Sequence, residues 1–279
     1  MNKLQEMNIP FYKMQGSGND FILFDLRDVS VSQDEMSVWA QKLCKRAFSI
    51  GADGLIFLEN VEQDQVDFKW HFYNADGSRA EMCGNGSRCA ALLAYLLELA
   101  PQKLCFLTDA GVIKAEIKGE NLVKVQLTAP RDLKLNINLD LEAQRINVHY
   151  VNTGVPHVVF FVDDLKAVNV QEMGKQIRFH SLFAPEGTNV NFVQILNQDY
   201  ILLRTYERGV EAETYACGTG ASACVYVGNK LGLLAREVKV ETSGREKLGI
   251  YLDGETVFLE GQTVLVYRGF LDKTLLEQI

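Results

Sequence analysis

Apolar and polar residues alternate along this chain in short runs, and glycine-rich turns separate them. Runs of four to eight β-branched and aromatic residues bounded by turn residues predict strands. In the first half these cover Asp20–Leu26, Gly54–Glu59, Val66–Tyr73, Val112–Ile117 and Leu122–Leu127. Helical spacing predicts helices over Asp34–Ala47 and Gly86–Leu99, the latter ending before Pro101. In the second half strands are expected at Ile146–Tyr150, Val158–Val162, Val190–Leu196 and Tyr200–Tyr206, and a helix at Gly220–Leu234. Strands Val238–Glu241, Leu248–Leu252, Val257–Glu260 and Thr263–Leu271 complete the pattern.

The pattern repeats. A glycine turn running into an apolar strand occurs at Gly16–Asp25 and again at Gly154–Asp163. Gly51-Ala52-Asp53-Gly54 is followed by an apolar run, as is Gly187-Thr188-Asn189-Val190. Cys83-Gly84-Asn85-Gly86 is matched by Cys217-Gly218-Thr219-Gly220. The three pairs keep their order, with the second member 134–138 residues after the first. A repeat this long means two related domains rather than a solenoid. Thr128-Ala129-Pro130 marks the expected boundary. Two related halves also predict a cleft between them as the place for a site.

Length agrees with two domains, since 279 residues is about twice a common domain size. A net charge of −8 gives no broad attraction to phosphate backbones or anionic lipid, so nucleic acid is not an expected partner. The longest apolar run, Cys89–Leu97, is too short to cross a bilayer, and the first residues carry no signal-peptide pattern. A soluble cytoplasmic protein is the expectation. Six cysteines are too few for a disulfide scaffold. Cys44, Cys89, Cys105 and Cys224 read as core residues.

Cys83 and Cys217 read differently. Each stands before a glycine turn and a long apolar helix. The first amides of a helix lack intrahelical partners and carry partial positive charge. Glycines let those amides approach an anion closely. The same field is expected to lower the thiol pKa. Two such thiols on opposite sides of one carbon could remove a proton from one face and return one to the other, with the amides stabilising the charge that develops. No Cys-x-x-Cys or paired histidine supports a metal site, and none is expected. The Gly218–Ala223 match to a dinucleotide fingerprint follows no buried strand and is read as accidental. His157 mirrors Asn19 in the repeat and is expected at the cleft.

The motifs MQGSGNDF, NADGSRAEMCGNGSRCAA, GVPH, EGTNVNF and YERGVEAETYACGTGA together resemble the diaminopimelate epimerase family across essentially the whole chain. The resemblance implies a cofactor-independent enzyme that interconverts LL- and meso-diaminopimelate in lysine and peptidoglycan precursor synthesis. It implies an α/β fold of two pseudo-symmetric domains, each a β-barrel-like sheet around a central helix. The C-terminal strand would return to the first domain, giving residues 1–128 with 264–279 and residues 129–263. Cys83 and Cys217 match the acid and base, exchanging roles with direction, and His157 and Glu207 join them in the catalytic set. Asn19, Asn74, Gly84, Asn85, Asn189, Glu207, Arg208, Gly218 and Thr219 match substrate-binding positions. Tyr267 matches a dimer-contact tyrosine, implying a homodimer.

Two positions depart from the family pattern. Val155 stands where many members have asparagine, a loss that Asn152 or another side chain could offset. Gly54 stands where some have glutamine. Three rival readings are a two-thiol proline or hydroxyproline racemase, a thiol redox protein, and a non-catalytic binding protein. A cyclic substrate has no distal ammonium and carboxylate, and so no use for Asn74, Asn189 and Arg208.

Overall fold

The structure, a computed structural model, describes residues 8–63, 65–142, 144–272 and 275. The chain divides into two compact units: one runs up to Val125 and resumes at Gln262, and the other is Gln126–Gly261.

The first unit contains β1 (Asn8–Gly16), β2 (Asn19–Asp25), α1 (Gln33–Leu43), β3 (Gly54–Gln63), β4 (Val66–Asn74), α2 (Gly84–Leu96), β5 (Lys103–Thr108), β6 (Gly111–Ile117) and β7 (Leu122–Gln126). Its strands follow chain order from β1 to β7, then β16 (Thr256–Asp272), which pairs with β1 and closes a ring of eight. The second unit contains β8 (Arg131–Asp140), β9 (Arg145–Asn152), β10 (Pro156–Phe161), α3 (Val170–Arg178), β11 (Asn189–Asn197), β12 (Tyr200–Glu207), β13 (Ala212–Thr214), α4 (Gly218–Lys230), β14 (Glu237–Thr242) and β15 (Lys247–Asp253). Its order is β8-β9-β10-β11-β12-β14-β15-β16, with β13 beside β12.

The first unit runs as two strands, a helix, two strands, a helix and three strands; the second keeps that alternation but opens with three strands and adds the short β13 before its second helix. β2 and β3 pair in parallel, as do β10 and β11. β4 with β5 and β12 with β14 are the second parallel pair in each. The architecture is thus the expected mixed α/β fold of two similar halves.

The central helices explain themselves by composition. Every residue from Gly86 to Ala94 in α2 and from Gly220 to Gly228 in α4 is buried. A helix apolar on all sides is stable only inside a protein, and alanine, glycine and serine let the sheet approach closely. α2 packs on β1, β2, β3 and β6, and α4 on β9, β10, β11 and β15. The opposite sheet faces are covered by the shorter helices. Met36, Trp39, Ala40 and Leu43 of α1 meet Phe24 and Phe57, and Val170 and Ile177 of α3 meet Val190, Phe192 and Tyr206.

Several elements differ from the sequence expectation. α1 stops at Leu43 rather than Ala47, because the amides of Gly51 and Ala52 take the carbonyls of Leu43 and Cys44 and Ala47 has φ 67°. α2 and α4 begin two residues earlier than expected, at Gly84 and Gly218. The two expected C-terminal strands are one continuous strand, β16, through Gly261 and Gln262. β1, β5, β8, β13 and α3 were not anticipated. In β8 most residues are exposed or half-buried, so no apolar run marks it. In α3 the central Gly174, a poor helix former, is there because the Tyr206 side chain lies where a Cβ would be.

That contact sets two effects of Gly174→Ala against each other. Better helix propensity favours alanine by about 1 kcal/mol, whereas overpacking a rigid aromatic contact costs about 1–3 kcal/mol. We expect net destabilisation in chemical denaturation; a more stable variant would show that Tyr206 moves aside freely.

Candidate active site

Cys83 and Cys217 are the N-cap residues of α2 and α4, each in extended backbone conformation. A turn followed by a buried helix leaves the first amides pointing at the cap rather than at a preceding carbonyl. Gly84, Asn85, Gly218 and Thr219 are the opening residues of those helices. Each unit therefore holds a sulfur beside a helix N-terminus.

In the first unit, Cys83 Sγ accepts a hydrogen bond from the Gly86 amide at 3.4 Å and lies 3.8 Å from Asn19 Oδ1. Asn19 is held by Asp53, whose Oδ2 accepts from Asn19 Nδ2 at 2.7 Å. That leaves Asn19 Oδ1 turned toward the sulfur, and Asn85 Nδ2 reaches the same oxygen at 3.5 Å. Asn85 Oδ1 in turn accepts from Arg88 Nη2 at 3.0 Å. Behind Asp53 stands an ionic cluster. Arg46 bonds both Asp53 and Asp20, and buried Lys13 pairs with Asp20 at 2.7 Å. Burial pushes the Asp20 carboxyl up, but Arg46 and Lys13 outweigh it and hold it down at about 2. Asn74, the last residue of β4, pairs with Gly54 beside Asp53 and gives its amide to Ser78 Oγ at 2.9 Å.

In the second unit, Cys217 Sγ is 3.4 Å from Thr219 Oγ1, and Thr219 Oγ1 is 3.0 Å from His157 Nε2. His157, the second residue of β10, is fully buried. Burial and then the charge of Arg208 drive its imidazole down to about 3, so it is neutral across the physiological range. Asn189 is nearly buried; it donates to the Pro156 carbonyl at 2.9 Å and accepts from the Arg208 amide at 2.8 Å. It thereby pins the turn that carries Glu207 and Arg208 at the end of β12. The Arg208 guanidinium reaches the Glu186 carbonyl at 3.4 Å. Asn152 Oδ1 is taken by the Gly154 amide. Tyr267 lies on the β16 stretch that pairs with β1, opposite Lys13.

The thiols contradict one expectation from sequence: their pKa is raised, not lowered. Burial pushes up the Cys83 thiol more strongly than the amides of Gly86 and Asn85 and the charge of Arg88 draw it down. Burial, then the negative charge of Glu207, drive Cys217 to about 11 against the Thr219 hydroxyl and nearby amides. A helix terminus offers only a partial charge, and losing water costs a thiolate more. Cys44, Cys89 and Cys224 are buried as expected, and Cys105 is half-buried. Sequence reading missed Asp53, which holds Asn19 beside the sulfur. The repeat could have flagged Asp53, which stands in the turn that matches Asn189.

A family model described as diaminopimelate epimerase matches residues 11–132 and 149–266. A diaminopimelate epimerase of Hydrogenobaculum sp. (strain Y04AAS1) is 47% identical, the alignment covering 93% of this chain and 97% of the relative. One from Aquifex aeolicus (strain VF5) is also 47% identical, over 96% and 99%. The chain belongs to the diaminopimelate epimerase family. Solved structures share the family's fold at low identity. A methylitaconate-delta-isomerase superposes with a TM-score of 0.70 at 13% identity, covering 97% of each chain. A hydroxyproline epimerase from Agrobacterium vitis gives 0.68 at 12% identity, over 96% of this chain and 93% of its own.

For this diaminopimelate epimerase family member, thiol alkylation tests the burial argument. A thiol raised above its ordinary value stays protonated as pH passes 9 and becomes reactive only near its own pKa. The iodoacetamide rate at Cys217, followed by mass spectrometry, should keep climbing between pH 9 and about 11. A plateau reached below pH 8 would restore the lowered value.

Proposed function

We propose that this protein interconverts LL- and meso-diaminopimelate, carrying one proton to or from an α-carbon on each of two thiols, without pyridoxal phosphate or metal. The observation that carries the proposal is the duplicated cap: in each unit the residue at the N-terminus of a buried helix is a cysteine followed by a glycine turn. In one direction the Cys217 thiolate takes the α-proton. The C–H electron pair stays on the α-carbon and its carboxylate, and Cys83 gives its S–H proton to the opposite face. Cys217 ends as thiol and Cys83 as thiolate, so the return direction starts from the exchanged state.

The raised thiol pKa values suit this chemistry. An α-proton next to a carboxylate is a very weak acid, and a thiolate deprived of water is a stronger base than one lowered by its surroundings. The helix amides at Gly84, Asn85, Gly218 and Thr219 would hold the reacting carboxylate, whose charge grows as the proton leaves. Arg208 is suited to the second carboxylate. Glu207, Asn19, Asn74 and Asn189 would serve the ammonium groups and the orientation of the chain. His157 acts through Thr219, since a buried neutral imidazole is a poor proton carrier. The two thiols must stay reduced, which fits the cytoplasm.

We also propose a homodimer. Tyr267 packs edge-on against Phe11, with ring centroids 6.1 Å apart, and remains 45% exposed beside exposed Val266 and Phe270 on β16. Tyr267→Asp should shift the chain from dimer to monomer in light scattering; an unchanged mass would remove this strand from the interface.

Incubation with LL-diaminopimelate in deuterium oxide should place deuterium at one α-carbon of the product. Cys83→Ser and Cys217→Ser should each lose more than about 100-fold in turnover while remaining folded by circular dichroism. Wild-type rates in both variants would end the two-thiol reading.

A further inference from the structure

Asn191, the third residue of β11, is fully buried and reaches His157 from the neighbouring parallel strand. Its contacts fix which way its amide points. Nδ2 lies 2.9 Å from the Val158 carbonyl, a group that can only accept. Oδ1 accepts from the Thr205 hydroxyl at 3.0 Å. Gly220, in the first turn of α4, leaves room for this amide, because a Cβ there would overlap Asn191 Oδ1. The second Nδ2 proton then points at His157 Nδ1, 3.1 Å away. An amide NH2 donates and does not accept. Nδ1 therefore carries no proton, and the neutral ring keeps its proton on Nε2.

The consequence runs on to the sulfur. Nε2–H donates to Thr219 Oγ1 at 3.0 Å. The Thr219 hydroxyl has one proton of its own, and a ring nitrogen that is already a donor cannot take it. That proton is left for Cys217 Sγ, 3.4 Å away. With the other tautomer Thr219 would donate to Nε2 and offer the sulfur only an acceptor.

We propose that Asn191 is a positioning residue for Cys217: by fixing the His157 tautomer it keeps the Thr219 hydroxyl aimed as a donor at the Cys217 thiolate. This rests on the reading of Cys217 as a proton-transfer group, and it adds a residue outside the substrate-contact set. The charged and titratable groups that act on this array are Glu207 at the end of β12, Arg208 next to it, and Cys224 in α4. All three stay unchanged in the variants below.

The test has two parts. In the 15N-histidine-labelled protein, with His157 assigned by its absence in His157→Gln, long-range 1H–15N correlations should show Nε2–H with an unprotonated Nδ1 from pH 5 to 9. A proton on Nδ1 overturns the proposal without any need for a variant of Asn191. In Asn191→Asp the new carboxylate faces the Val158 carbonyl and forces a proton onto Nδ1. Loss of one hydrogen bond to a charged sulfur should then slow alkylation of Cys217 at pH 10, where thiolate begins to form, about tenfold. A buried carboxylate could do this by charge alone, so the same substitution is made in Thr219→Val. There the relay has no hydroxyl, and Asn191→Asp should slow Cys217 by less than about twofold. An equal slowing in both backgrounds would make the effect Coulombic and sink the relay. Neither readout uses diaminopimelate, so a failed relay leaves the epimerase reading standing, and absence of deuterium exchange leaves the relay standing.

Discussion

A helix buried on every side must satisfy its ends from outside, and at its N-terminus the first backbone amides must find partners beyond the helix. The rest of this protein is arranged around that constraint, met twice. α2 and α4 are buried from Gly86 and Gly220 onward, so only their first residues, half-buried, reach the edge of a unit. Glycines at 84, 86, 218 and 220 keep side chains out of the way, and a cysteine occupies each cap. An anion-seeking end and a polarisable sulfur are thus brought together by packing. The candidate site follows from how the core is built rather than being added to it.

The two caps are similar in backbone and different in surroundings. At Cys83 the side-chain partner is an amide oxygen, held there by Asp53 and, behind it, by Arg46, Asp20 and Lys13. At Cys217 it is a hydroxyl, tied to a buried neutral imidazole. An oxygen acceptor favours S–H, whereas a hydroxyl can turn its proton toward S⁻. The plan shared by the two units supplies the geometry, and the side chains that differ between them set how each sulfur holds its proton. Desolvation works on both in the same direction, so these neighbours tune a common upward displacement rather than create reactivity alone.

Much of this was legible in the residues. The ordered repeat gave two units, and the largely apolar stretches after each glycine turn gave the long helices, whose central place the resemblance implied. The resemblance named the family that the comparisons then supported. What sequence could not supply was the balance of competing terms. Helix termini lower a thiol pKa and burial raises it, and only a fold tells how much water reaches Cys83 and Cys217. Nothing local marks the use of Gly174, because its partner, Tyr206, is remote in sequence. Asn191 passed as one polar residue in an apolar strand, because its role depends on a histidine 34 residues away across a parallel pair. β8 was invisible because most of its side chains face solvent. β16 was split in two at a glycine that the strand simply passes through.

The last strand has a consequence for how the protein is made. β16 seals the first ring by laying its end along β1, with Asp272 opposite Asn8. On the ribosome, everything the first ring needs except this strand emerges early, and the missing piece emerges last. Throughout synthesis β1 presents an open edge, a template for mispairing with another nascent chain. The second unit, apart from the few residues of β16 that it shares, is continuous in the chain and has no such wait. The half translated first is therefore the half that is finished last.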